Sequence, residues 1–133
     1  MSEPSKKYAI LVVEDELPLL KALVDIFSRE GFSMLQAKNG EEGLALALKN
    51  KPDMILLDIV MPVMDGMTML KKLRSDEWGK QVPVILLTNL TGDDDGRIGD
   101  VTKTNPAYYL VKSDWKIEDV VAKVKERLET PLG

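Results

Sequence analysis

Three acids, a hydroxyl and an ammonium follow the ends of four apolar runs in this sequence. Glu14 and Asp15 come after residues 8–13, Asp58 after 54–57, Thr88 after 82–87 and Lys112 after 107–111. Each alone has an ordinary explanation. Glu14 and Asp15 would be loop acids or helix N-terminal charges, Asp58 a turn or cap residue, Thr88 a strand-end hydroxyl and Lys112 a surface charge. Together they describe a chemistry. Carboxylates held close repel one another, and a hard cation relieves that repulsion. Magnesium suits such a place: it takes one or two carboxylates, retains water and accepts phosphate oxygens as further ligands. Asp58 would then serve as nucleophile in aspartyl-phosphate chemistry. Lys112 would neutralise charge on the phosphoryl group, and Thr88 would donate a hydrogen bond to it.

Composition narrows the alternatives. The chain has 133 residues, no cysteine and no histidine. That length suits one domain with one core. Zinc-finger sites, a cysteine nucleophile, a Ser-His-Asp triad and histidine phosphotransfer within the chain are all excluded. Any metal must be a hard cation on oxygen ligands. The absence of cysteine fits a reducing cytosol, so a cytoplasmic location is expected. The net charge is −4, and residues 1–66 hold 11 acids against 7 bases whereas residues 67–133 hold 11 of each. Direct nucleic-acid binding is not expected from that balance. No apolar run is long enough to span a bilayer, and residues 1–7 form a polar start unlike a signal peptide.

The elements that must position these residues alternate. Residues 8–13 and 54–57 are continuous apolar runs, as expected of strands buried on both faces. Leu19, Leu20, Leu23, Ile26 and Phe27 recur at helical spacing, with Pro18 near the start and Gly31 beyond the end. Residues 33–37 form a short strand, and Asn39 caps a helix through Leu44 and Leu48. Met67, Leu70 and Leu73 mark the next helix, after a loop containing Pro62 and Asp65-Gly66. Residues 82–87 form a strand with Pro83 at its beginning, 107–111 the last strand, and Ile117, Val120, Val121, Val124 and Leu128 a final helix. Residues 91–106 hold Gly92, Gly96, Gly99, Thr102 and Thr104, all poor helix formers, where alternation demands a short helix. Strands alternating with helices imply a parallel sheet covered on both faces. Ligands of such sheets bind beyond the carboxyl ends of the strands, where the polar residues above converge. No glycine-rich turn follows the first strand, so neither a P-loop nor a dinucleotide site is present.

Glu14-Asp15, Asp58-Ile-Val-Met-Pro-Val-Met-Asp-Gly66, Thr88 and Tyr109-Leu-Val-Lys112 resemble receiver domains of two-component response regulators. The resemblance runs over nearly the whole chain, and the stretch from Asp58 to Gly66 is its most specific part. It implies an α/β fold: a doubly wound five-stranded parallel sheet of flavodoxin-like order 2-1-3-4-5, with five helices on two faces. Residues 8–129 would form the receiver domain, residues 1–7 a flexible arm and 130–133 a tail. Asp58 would accept a phosphoryl group from a histidine kinase, a phosphotransfer protein or a small phosphodonor. Mg²⁺ would be held by Glu14, Asp15, Asp58 and the backbone carbonyl of Val60. Thr88 and the aromatic Tyr109 would switch between two populated states. An output protein or domain outside this chain would read that state, and a phosphorylation-dependent dimer is a further expectation. Such a protein catalyses its own phosphorylation and dephosphorylation and is not an enzyme with a turned-over substrate.

The sequence departs from the family pattern in places. Ser113 follows Lys112 where the family usually has proline in a cis bond, which serine cannot adopt at proline's low cost; either the turn is trans and Lys112 is aimed differently, or strain is stored beside the site. Val60 and Leu90, at positions that tune phosphoryl loss, are apolar and would exclude attacking water. Asn89 stands where the family favours a small residue. Asp65 reads as a turn residue, Met61, Met64, Met67 and Met69 as adaptable packing, and 93–95 as a solvated acidic helix start. Trp78 and Trp115 read as half-buried packing or partner anchors. A Mg²⁺-dependent phosphohydrolase or nuclease would want a further acid near Asp58, such as at Val60. A degenerate receiver used only as an interaction module would lack site residues that are present here.

Overall fold

Residues 10–13, 54–57 and 84–87 form strands where β-branched and leucine runs bury both sides of the backbone. A computed structural model describes residues 8–59, 61, 63–88, 108–111 and 116–129. Strands β1 (Ala9–Val13), β2 (Ser33–Ala37), β3 (Met54–Asp58), β4 (Val84–Thr88) and β5 (Tyr108–Val111) make one parallel sheet of order β2-β1-β3-β4-β5. The described helices are α1 (Leu17–Arg29), α2 (Gly40–Asn50), α3 (Gly66–Arg74) and α4 (Ile117–Glu129). The doubly wound parallel sheet and its strand order are as expected; the helix expected over 91–106 lies outside the described residues.

Successive side chains of a strand point to opposite faces, and the core divides accordingly. Leu11, Val13, Ile55, Leu57, Val84 and Leu86 pack with residues of α2 and α3, including Ala47, Met69, Leu70 and Leu73. Ile10, Val12, Met54, Leu56, Ile85 and Leu87 pack with Leu20, Leu23 and Phe27 of α1 and Val120, Val121 and Val124 of α4. Met61, Met67 and Met69 are buried in the first layer, where Met64 and Trp78 also pack.

Side chains cap two helix starts, Asn39 as expected and Asp65 in place of the turn role read from the sequence. Asn39 accepts the Glu42 N–H at 2.9 Å, and Asp65 accepts the Thr68 N–H at 2.8 Å. Each satisfies a donor that the first helical turn leaves open. Pro18 lies in the first turn of α1, and Gly31 takes a positive φ of 97° after its end. Strand limits differ slightly from the apolar runs. The ladder of β4 begins at Val84 rather than Val82, because Pro83 has no N–H to give, although its carbonyl accepts the Ile55 N–H at 3.1 Å. Asp58 and Thr88 are the last residues of their strands rather than the first beyond them, since Asp58 pairs with Leu87 and Thr88 with Val111.

Arg74 closes the connection into β4. Its Nη1 donates to the carbonyls of Gly79 at 2.7 Å and Val82 at 2.8 Å. Burial lowers the pKa of this guanidinium from its ordinary value, and the two carbonyls stand in for lost water.

Candidate metal and phosphoacceptor site

Register brings the acids level. Val13 pairs with Leu57, so the next residue of each strand, Glu14 and Asp58, arrives at the same edge of the sheet. The Glu14 N–H donates to the Ala37 carbonyl at 3.0 Å, which extends the line of β1 by one residue. One carboxylate oxygen from each of Glu14, Asp15 and Asp58 lies within 4.8 Å of the others. Glu14 is fully buried and Asp58 is 4% exposed, whereas Asp15 is exposed. Oε2 of Glu14 accepts the Glu16 N–H at 3.0 Å, and Oε1 is closed off from solvent.

The electrostatics of this group favour a cation. Two like charges about 5 Å apart repel by roughly 3 kcal/mol at an effective dielectric of about 20. Two of these three carboxylates are buried, so water screens them poorly. A donor set made only of carboxylate oxygens suits a hard divalent ion, and the exposed Asp15 leaves one side open to water or phosphate oxygens. The residues present fit Mg²⁺.

The loop after β3 folds back upon Asp58. The Gly66 N–H donates to the Ile59 carbonyl at 2.7 Å, and a Cβ at Gly66 would lie 2.1 Å from the Asp58 carbonyl oxygen. Only glycine fits there. Val63, within that loop, is 76% exposed and has a φ of 68°, a conformation unfavourable for a β-branched residue. Asp65 is spent on capping α3 and is not among the clustered acids.

Glu14, Asp15 and Asp58 are therefore brought together as residues, and the backbones of Thr88 and Tyr109 end and line adjacent strands at β4 and β5. Val60, Leu90, Lys112 and Ser113 lie outside the described residues, as do Asn89, 93–95 and Trp115. Gly40 and Gly43 belong to no motif named above, yet they press against Met64 and Val13 beside the site; their signal in the sequence is glycine inside a helix.

The family model for the response regulator receiver domain matches residues 10–125. The chain is 35% identical over 123 residues to the DNA-binding dual master transcriptional regulator RpaA of Synechocystis, covering 90% of this chain and 48% of that protein. A crystal structure of a response regulator from Chloroflexus aurantiacus superposes with a TM-score of 0.82 at 29% identity, covering 94% of this chain and all of the other. A CheX–CheY–BeF3–Mg²⁺ complex from Borrelia burgdorferi has a TM-score of 0.79 at 27% identity, covering 91% of this chain and 89% of that one. The chain spans 33% to 49% of the length of three such curated relatives. With the fold, the buried Asp58 and the acidic cluster in agreement, this chain belongs to the response regulator receiver domain family of two-component signalling.

Proposed function

We propose that Asp58 accepts a phosphoryl group in a Mg²⁺-dependent reaction and that the chain thereby changes which partner it binds. The observation that carries this reading is the buried Asp58 with its carboxylate within 4.8 Å of those of Glu14 and Asp15. One Asp58 oxygen attacks phosphorus while the bond from phosphorus to the donor breaks. The electron pair leaves on the imidazole nitrogen of a phosphohistidine or on the carboxylate of acetyl phosphate, and an acyl phosphate remains on Asp58. Glu14, Asp15, Asp58 and the Val60 carbonyl would hold Mg²⁺, which supplies positive charge to the transferring group. Lys112 pairs with a phosphoryl oxygen, Thr88 donates to another, and Tyr109 reports the change towards partners. Val60 and Leu90 keep attacking water away and lengthen the life of the acyl phosphate.

The phosphodonor is a histidine kinase, a phosphotransfer protein or a small phosphodonor, and the output is a protein or domain not contained in these residues. We place the chain in the cytoplasm, where such donors work. Among the described residues no helix is long and apolar enough to cross a membrane. The similar CheY complex with BeF3 and Mg²⁺ supports the ion chosen.

Incubation with acetyl phosphate and Mg²⁺ is expected to give a phosphoryl adduct by intact mass that Asp58→Asn lacks and chelation prevents. No adduct from any donor would sink the reading and favour an interaction module that works without phosphorylation. Steady phosphate release without an adduct calls for a quenched time course, which separates fast loss from Asp58 from hydrolysis elsewhere.

A further inference from the structure

Two of the first four residues of α2 are glycines, Gly40 and Gly43. Alanine is the better helix former, and neither glycine has the positive φ that would require its freedom. Space requires them. A Cβ at Gly40 would lie 2.4 Å from the Met64 carbonyl oxygen and 3.0 Å from its carbon. The Gly40 N–H donates to that same oxygen at 2.9 Å. A Cβ at Gly43 would lie 2.7 and 2.9 Å from the two methyl carbons of Val13 and 3.1 Å from the Met69 sulfur.

Each contact reaches one half of the acidic cluster. Val13 directly precedes Glu14. Met64 lies in the loop that Gly66 closes against Asp58 and Ile59. The start of α2 cannot easily retreat, because Asn39 accepts the Glu42 N–H at 2.9 Å and Glu42 accepts the Lys38 N–H at 3.3 Å. We infer that the first turn of α2 is a positioning element that sets the separation between the Glu14–Asp15 and Asp58 halves of the site, through Gly43 and Gly40. The inference rests on the reading that these acids hold Mg²⁺. That ion demands oxygen ligands at about 2.0–2.1 Å in near-octahedral array, so displacements of a few tenths of an ångström affect binding.

The test is Mg²⁺ titration calorimetry on the full chain, with acetyl phosphate labelling as a second readout. Gly40→Ala and Gly43→Ala should each weaken Mg²⁺ binding by about tenfold, the lower range for residues that orient metal ligands. Labelling should slow in parallel at subsaturating Mg²⁺ and recover at saturation. Val13→Ala placed in Gly43→Ala makes room for the new methyl and should restore affinity. Gly31→Ala is the control: it strains a φ of 97° with open space around the new carbon, so it loses stability and retains Mg²⁺ affinity. If Gly40→Ala fails to fold, Gly43→Ala and its Val13→Ala partner decide. Unchanged affinity in Gly43→Ala, no recovery in the double variant, or an equal loss in Gly31→Ala would overturn the inference. A wild-type chain that binds no Mg²⁺ would instead overturn the reading beneath it.

Discussion

Where β1 and β3 begin, Asp53 accepts the Ala9 N–H at 2.8 Å while its own N–H donates to the Ala9 carbonyl at 2.8 Å. Where the same strands end, Glu14 and Asp58 are buried with Asp15 in a cluster of carboxylates within 4.8 Å. The near edge uses its acid as a neighbour's hydrogen-bond acceptor. The far edge concentrates negative charge in a cluster that a bound cation would balance. The same side-chain chemistry thus does structural work at one end of the sheet and, on the function proposed above, chemical work at the other. Other contacts sharpen the contrast. At the near edge the Tyr8 hydroxyl donates to the Leu128 carbonyl at 3.3 Å and Lys125 pairs with Glu30, tying α4 to β1 and α1. Phe27 and Phe32 meet edge to face at 5.5 Å. At the far edge lie the exposed Val63 in a left-handed conformation and the glycines that let loops close upon the acids.

If that division holds, changes at the two ends separate stability from chemistry. The largest effect on stability is expected from Phe27→Ala, about 3–5 kcal/mol by denaturant unfolding; the folded fraction should label on Asp58 at an unchanged rate. Slower labelling of the folded fraction would show that the ends are coupled. Next, Mg²⁺ at about 100 times its Kd should stabilise the wild type by about 2.7 kcal/mol, and Asp58→Asn or Glu14→Gln should lose most of that gain. A full gain in either variant, read from unfolding with and without the ion, would put the metal elsewhere. Asp53→Ala should cost about 1–2 kcal/mol by leaving the Ala9 N–H short of an acceptor, with Mg²⁺ affinity intact. The smallest effect belongs to Val63→Gly. Relief of left-handed strain of about 1–2 kcal/mol is partly offset by glycine's entropy cost of about 0.5–1 kcal/mol, so unfolding measurements should show a gain below about 1.5 kcal/mol.

Much of this was legible from residue order. Apolar runs at 54–57 and 82–87 marked β3 and β4, and Asn39 and Pro18 marked helix starts, because those signals depend on neighbours in the chain. The strand order came from the resemblance carried by Asp58 to Gly66. What was not legible involved residues far apart in sequence. Glu14 and Asp15 are adjacent acids, yet one is buried and the other exposed; the buried one has its N–H bonded to Ala37 and its side chain bonded to the Glu16 N–H. Nothing local to Arg74 marks its role, which comes from the fold bringing its Nη1 to the carbonyls of Gly79 and Val82. Gly40 carried no motif in the sequence, and the fold makes it a point of contact with Met64.

By itself, then, the sequence determined which side chains were present for chemistry and that each would stand at a strand's carboxyl end. Alternating local patterns dictate strands and helices, and a buried strand can admit a carboxylate only as it leaves the core. Tertiary structure alone decided that residues 14, 15 and 58 share a space of 4.8 Å, and that α2 bears upon both halves of it. Those distances arise from parallel register between strands joined by long crossovers and from helix packing, which no local run of residues encodes.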